Sequence, residues 1–310
     1  MPKIIIHQLT HCYSGRTTAL KDVELEIRSG MYGLLGPNGA GKTSLIRILV
    51  TLLKPTSGQV TIDGLDLIKD RKRIRLQTGY LPQEFTSFPR LTVSEFLDYS
   101  AGLKGIQSRA ERQAQIEKIL EDVGLFEARN RLAAKLSGGM KRRLGIAQTL
   151  IGDPPIMIID EPTVGLDPEE RVRFRNILSE LSRQDKLILL STHIVGDISS
   201  TCSRIALLNE GRIVFEGPPE DLVAQVRGKV WKVSAAAGEI DRVKSQYPVM
   251  SAIPLEGGYL LRVLADQAPR IGGEPADPNL EDAYVSFMQS ATGGFDALNY
   301  QEAMNEGVGE

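Results

Sequence analysis

Hydrophobic and polar positions alternate at the start of the chain. Ile4, Ile6 and Leu9, then Val23, Leu25 and Ile27, keep the period of two that predicts half-buried strands over 3–9 and 23–27. Tyr32 to Leu35 predicts a third strand, which feeds a glycine-rich turn and an apolar helix from Ser44 to about Leu53. Lys54-Pro55-Thr56-Ser57-Gly58 breaks the chain, and Gln59–Ile62 before Asp63-Gly64 predicts another strand. From about 92 to 128 the period lengthens to that of a helix. Thr92 or Ser94 suits its N-cap and Glu95 its first turn, while Ile116, Ile119, Leu120 and Val123 share a core face. Ile156–Ile159 and Leu187–Leu190 are nearly all apolar, as strands buried on both faces are, and each leads into a polar residue, Asp160 and Ser191. Strands alternating with helices predict an α/β core whose loops at the carboxyl ends of the strands build a site.

Past about residue 225 the texture changes. Val230-Trp231-Lys232-Val233 predicts a strand. Ala252–Leu255, Glu256-Gly257-Gly258 and Tyr259–Leu264 predict a hairpin. Pro275 and Pro278 precede a helix with Leu280, Ala283, Tyr284, Phe287 and Met288 on one stripe. The organisation expected is a large domain over 1–224, with a helical subdomain at about 84–150, a small α+β domain over 225–290, and a tail over 291–310.

Composition narrows the class. Of 310 residues, 42% are hydrophobic and 25% charged, which excludes bulk disorder. No run approaches ~18 apolar residues, and the opening Ile4-Ile5-Ile6 is too short for a signal-peptide core. Two cysteines, Cys12 and Cys202, are too few for a disulfide framework and read as bystanders; His7 and His11 read as surface or strand residues. A cytoplasmic protein is expected, one that serves a membrane only through a partner. The net charge of −2 hides an asymmetry: residues 231–310 carry five basic and twelve acidic side chains, net −7, leaving +5 for residues 1–230. Neither part is basic enough to point to nucleic acid.

Gly36-Pro37-Asn38-Gly39-Ala40-Gly41-Lys42-Thr43 carries the strongest chemistry. It matches G-x-x-x-x-G-K-[ST] between a predicted strand and helix. Glycines let backbone N–H groups wrap around phosphate oxygens, and the helix adds its positive end. Lys42 is expected to reach the β- and γ-phosphates and Thr43 to ligate Mg²⁺. Asp160 ends an apolar strand and suits Mg²⁺, directly or through water. Glu161 follows at once and suits polarisation of the attacking water.

With Leu136-Ser137-Gly138-Gly139-Met140 standing 23 residues before Asp160, the sequence resembles the ATP-binding-cassette ATPases over about residues 3–220. The resemblance implies a phosphate-loop NTPase core with a β-subdomain and a helical subdomain, ATP and Mg²⁺ as ligands, and ATP hydrolysis. It implies roles for Gln83 at Mg²⁺ or water, for His193 at the γ-phosphate beside Glu161, and for Tyr13 stacked on adenine. The nucleotide-binding set is then Tyr13, Gly36, Pro37, Asn38, Gly39, Ala40, Gly41, Lys42, Thr43 and Ser44. Ser137, Gly138, Gly139 and Asp167 act across a head-to-tail dimer, because each ATP lies between one protomer's phosphate loop and the other's signature. Ser137, Gly138 and Gly139 open a helix rich in Lys141, Arg142 and Arg143, so free N–H groups, a hydroxyl and the dipole make a second anion site. Asp167 before Pro168 is also a helix cap. Met140 departs from the glutamine many members carry; Met140-Lys141-Arg142-Arg143-Leu144 resembles the variant of bacterial drug-, antibiotic- and polymer-exporting cassettes.

The implied partners are a second cassette protomer and a separate transmembrane permease at the inner face of the cell membrane. Phe85, Phe88, Pro89 and Leu91 are candidates for the permease contact or for internal packing. Pro278-Asn279-Leu280-Glu281-Asp282-Ala283-Tyr284 resembles the closing segment of exporter-associated cassettes, and residues 225–290 are too few for the β-barrel domain of sugar importers. Export is therefore expected over import. The alternatives, an importer ATPase or a soluble non-transport ATPase, are disfavoured by what they require: a DNA-repair ATPase needs a long coiled-coil insertion, a translation factor two cassettes, and a GTPase an Asn-Lys-x-Asp reader.

Overall fold

The computed structural model describes residues 1–13, 17–183, 185–199 and 201–292. The chain separates into two compact units, Met1–His193 with Ser200–Glu216, and Ile194–Ser199 with the chain from Gly217 onward.

In the first unit, β1 (Lys3–Tyr13) pairs antiparallel with β2 (Thr17–Arg28), and their alternating inward residues, Ile4 and Ile6 against Ile27 and Leu25, are buried. β3 (Gly30–Leu35) leads into α1 (Lys42–Leu49). This helix starts and ends earlier than the apolar run suggests. Thr51 turns left-handed, at φ +63°, and Leu52 and Leu53 donate their N–H groups to Arg47 O. β4 (Ser57–Ile62) and β5 (Leu65–Asp66) follow, then α2 (Arg71–Gln77) and β6 (Thr78–Leu81).

The expected long helix over 92–128 divides. α3 (Val93–Leu103) stops before the left-handed Gly105, and α4 (Arg109–Asp122) restarts with Ser108 as its cap. Thr92 and Glu95 form the reciprocal capping box at α3. Ile116, Ile119, Leu120 and Val123 are buried as expected. α5 (Gly138–Leu150), β7 (Ile156–Asp160), α6 (Pro168–Ser182) and β8 (Leu187–Thr192) complete the alternation.

After α7 (Val195–Ile198), which belongs to the second unit, β9 (Arg204–Asn209) and β10 (Arg212–Gly217) return to the first. Six strands form one sheet in the order β10-β9-β3-β8-β7-β6, and four form another in the order β2-β1-β4-β5. β3, β6, β7, β8 and β9 run parallel, so Leu35, Leu81, Asp160 and Thr192 end at the same edge of the six-stranded sheet.

The second unit holds α8 (Pro219–Ala224), β11 (Val230–Ala236), α9 (Ile240–Gln246), β12 (Val249–Leu255), β13 (Gly258–Leu264), β14 (Glu274–Pro275) and α10 (Leu280–Thr292). The strands order as β12-β13-β11-β14 over a core of Val233, Val243, Val249, Leu261 and Val263. The hairpin turns at Glu256-Gly257, as the glycines predict. α10 buries Leu280, Ala283, Tyr284 and Met288 and packs on α7 and α8. α8 therefore groups with the second unit, which takes up the chain again at Gly217. From 293 on, the segment expected as a tail lies outside the described residues. Among the described residues no helix is long and apolar enough to cross a membrane.

Candidate functional site

Six residues, Gly36 to Gly41, turn the chain from β3 into α1. Two of them admit only glycine. A Cβ on Gly36 would lie 2.2 Å from Leu208 O, and Gly41 has φ +110° with Ala19 O at 2.5 Å from its would-be Cβ. Gly41 caps α1 without a side-chain bond, which leaves first-turn N–H groups for an anion. Lys42 Nζ donates to Gly36 O at 2.7 Å and Pro37 O at 3.1 Å, and lies 3.3 Å from Glu161 Oε1. Burial pushes the Lys42 ammonium down from its ordinary pKa, and the pull of Glu161 only partly offsets this.

Asp160 and Glu161 leave β7 in different directions. Asp160 is buried and accepts a 2.5 Å hydrogen bond from Ser191 Oγ. Burial pushes its carboxyl up, against the Ser191 bond. Glu161 takes the left-handed conformation at φ +43°, and its N–H donates to Ser191 O at 3.1 Å and Ser191 Oγ at 3.2 Å. Its Oε2 lies 3.2 Å from His193 Nδ1 and accepts from Gln83 Nε2 at 3.4 Å. Burial pushes the Glu161 carboxyl up, but His193 and Lys42 outweigh it and hold the pKa below the ordinary carboxylate value.

Tyr13, Asn38, Gly39, Gly41, Lys42, Thr43, Ser44, Gln83 and Glu161 line one cavity of about 300 Å³, with Thr17, Thr18 and Ala19 on its wall. Tyr13 is 39% exposed, its hydroxyl lies 3.1 Å from Ser44 Oγ, and its ring meets His11 edge-on at 4.6 Å. Gly36, Pro37 and Ala40 build the loop without lining the cavity, and Asp160 stands behind it, tied through Ser191. Ser137, Gly138, Gly139 and Asp167 do not line it. Ser137 caps α5 by accepting from Met140 N–H at 3.3 Å, and Asp167 caps α6 by accepting from Glu170 N–H at 2.8 Å. Among the described residues no three His, Cys, Asp or Glu side chains cluster as a metal site. A larger cavity, about 720 Å³, opens between α3 and α4. It is lined by Leu91, Tyr99 and Ile116 with charged Glu95, Asp98, Arg109 and Arg112, and it lacks the convergence of loop, carboxylate and histidine.

Two site residues escape the sequence reading. Ser191 joins Asp160 to the Glu161 backbone, and nothing in the apolar run before it marks that role. Arg142 reads only as one of three cations enriching this helix, and of the three only Lys141 is exposed. Arg142 turns inward onto four carbonyls, and Arg143 onto Val123 O, Gly124 O and Glu170. Of the other expectations, Phe85 is half-buried 6.0 Å from Phe96, whereas Phe88 is 52% exposed. Cys12 and Cys202 stand outside any disulfide, His7 pairs with Glu24 on the surface, and His11 is a buried strand residue.

The family model described as ABC transporter matches residues 20–164. A probable multidrug ABC transporter ATP-binding protein of Escherichia coli is 34% identical over 288 residues, which is 88% of this chain and 50% of that protein. The Nod factor export ATP-binding protein I of Cupriavidus pinatubonensis is 33% identical over 287 residues, 88% of this chain and 87% of that one. The chain thus spans about half the length of the first relative and most of the second. Among solved structures, a dimeric bacterial ABC transporter cassette is 29% identical with TM-score 0.64, covering 69% of this chain and 98% of its own; its post-hydrolysis form bound to ADP and Pi aligns equally. A strand-to-helix phosphate loop, the carboxylate pair behind it and this similarity lead to one conclusion: the chain belongs to the ABC transporter family, as an ATP-binding cassette.

Proposed function

We propose that the chain binds and hydrolyses ATP, and that two copies dock head to tail to power export through a separate transmembrane permease. The observation that carries the reading is the bridging of Glu161: one carboxylate oxygen faces Lys42 of the phosphate loop, the other His193, in one cavity. A γ-phosphate competes for the Lys42 ammonium. Glu161 then loses its main cation and becomes a stronger base. Water gives its proton to Glu161 as its oxygen bonds to the γ-phosphorus, and the bond to the ADP oxygen breaks with its electron pair leaving on ADP. His193 holds the carboxylate in line.

The donor chemistry fits Mg²⁺. Thr43, Gln83 and Asp160 offer hard oxygens, few in number, as suits an ion bound largely by phosphates and water. When bound, Mg²⁺ neutralises charge on the β- and γ-phosphates. Ser137 and the N–H groups of Gly138 and Gly139 lie outside the chain's own cavity, which supports their service to the partner's nucleotide. The names of the multidrug and Nod factor relatives support export. The groove between α3 and α4, with exposed Phe88 and Tyr99 nearby, suits a helix of the permease, which supports a location at the inner face of the membrane. The second unit serves as an accessory domain.

Phosphate release from ATP tests the proposal. The wild-type chain is expected to turn over, Glu161→Gln to bind ATP without turnover, and Ser137→Arg to lose turnover with its phosphate loop intact. Full activity of Glu161→Gln would overturn the assignment of the base, and full activity of Ser137→Arg the composite site.

A further inference from the structure

We infer that Arg142 is a positioning residue: it fixes the backbone that presents Glu161 and ties that backbone to the Gln83 loop and to the helix behind the signature. The inference rests on Glu161 being the hydrolytic carboxylate.

Arg142 is 8% exposed. Its Nη2 donates to Glu161 O at 2.5 Å and its Nε to Pro162 O at 2.6 Å. Its Nη1 donates to Gln83 O at 2.7 Å and Pro82 O at 3.2 Å. One guanidinium thus joins α5, the loop after β6 and the loop after β7. Among the described residues no carboxylate is bonded to it; four carbonyl dipoles and the nearby charges of Asp160 and Glu161 hold its charge. Burial nonetheless pushes its pKa down to about 10, so the position is costly.

That cost has a local return. Glu161 sits at φ +43°, where a residue with a Cβ pays on the order of 1 kcal/mol or more. Such a conformation persists when both adjoining peptides are held. Ser191 holds the N–H side through its carbonyl and hydroxyl, and Arg142 holds the C=O side. With either grip lost, the Glu161 backbone can relax and carry Oε2 away from His193. The same guanidinium also fixes the carbonyl of Gln83, whose amide donates to that oxygen. Lysine cannot replace this fork: one ammonium does not reach four carbonyls spread over two loops.

The test measures kcat, KM for ATP and the Kd of a fluorescent ATP analogue for the full chain carrying Arg142→Lys or Arg142→Gln. Both variants are expected to lose at least about tenfold in kcat while Kd stays within about threefold, since Arg142 does not touch the phosphate loop. Because Arg142 acts through Glu161, adding Arg142→Gln to Glu161→Gln is expected to leave the residual rate unchanged. Should Arg142→Gln fail to fold, as thermal unfolding reports, Arg142→Lys carries the comparison alone. Wild-type kcat in a folded variant, a parallel loss of kcat and nucleotide affinity, or additive losses in the double variant would each overturn the inference. An active Glu161→Gln chain would instead overturn the assignment of the base, so the two failures are separable.

Discussion

Each unit of the chain contains a cation beside a buried carboxylate, and the two pairs behave in opposite ways. In the first unit, Lys42 lies against Glu161 and burial drags its pKa down. In the second, Arg262 meets Asp282 with both forks, Nε to Oδ1 at 2.7 Å and Nη2 to Oδ2 at 2.6 Å, and its pKa is raised mainly by that bond. Asp282 also exchanges hydrogen bonds with Asn279 at the start of α10, so each of its oxygens is satisfied. The signs follow by linkage. A lowered Lys42 costs stability at all pH below its folded value, and the cost is relieved as pH climbs towards 10.5. A raised Arg262 contributes stability throughout the range below the ordinary arginine value, lost only as pH rises through its folded value. The fold uses the Arg262 pair for stability and holds Lys42 under tension, ready for a stronger anion.

The largest expected effect separates the two. Arg262→Met leaves Asp282, 3% exposed at its side chain, without its cation and is expected to cost about 3–5 kcal/mol in chemical unfolding. Replacing both, Arg262→Met with Asp282→Leu, is expected to return most of that loss. ATP affinity of the folded fraction should stay within about twofold; a large fall would break the comparison.

Lys42→Met reverses the profile. Nucleotide affinity is expected to drop on the order of 100-fold by titration calorimetry, from the loss of charge-assisted phosphate bonds. Stability is expected to fall by less than for Arg262→Met, since Lys42 is itself desolvated and His193 still faces Glu161. Tyr13→Ala is expected to weaken ATP by roughly tenfold, the scale of stacking on an exposed ring, with no change in unfolding. The smallest effect is in pH. Burial raises the Asp160 carboxyl, so Mg²⁺-dependent ATP affinity is expected to fall on acidification starting above pH 3.8, while metal-free nucleotide binding stays flat there.

The legibility of the two units differs for the same physical reason. The phosphate loop was readable because its constraints are local: Gly36 and Gly41 are forced by backbone contacts and φ, and Lys42-Thr43 follow by spacing. Asp160 and Glu161 are readable because they close an apolar strand, whereas Gln83 and His193 enter only through the family resemblance; parallel pairing brings their strand ends together. Ser191 and Arg142 are not readable, because their partners lie about 20 to 60 residues away and are mostly backbone atoms, which no side-chain pattern records. The β9–β10 hairpin leaves little pattern in the sequence although Glu210-Gly211, both left-handed, is its turn, since the flanking strands lack clean alternation. In the second unit Leu280, Ala283 and Tyr284 announced α10, but Arg262 lay hidden in a strand until α10 folded over it.

In the proposed mechanism each chain supplies half of two composite ATP sites. The decisive measurement is the light-scattering mass of the Glu161→Gln chain with Mg²⁺-ATP. Twice the monomer mass is expected with ATP retained, and the monomer mass once Ser137→Arg is added. A monomer that holds ATP, or a dimer indifferent to Ser137→Arg, would contradict it.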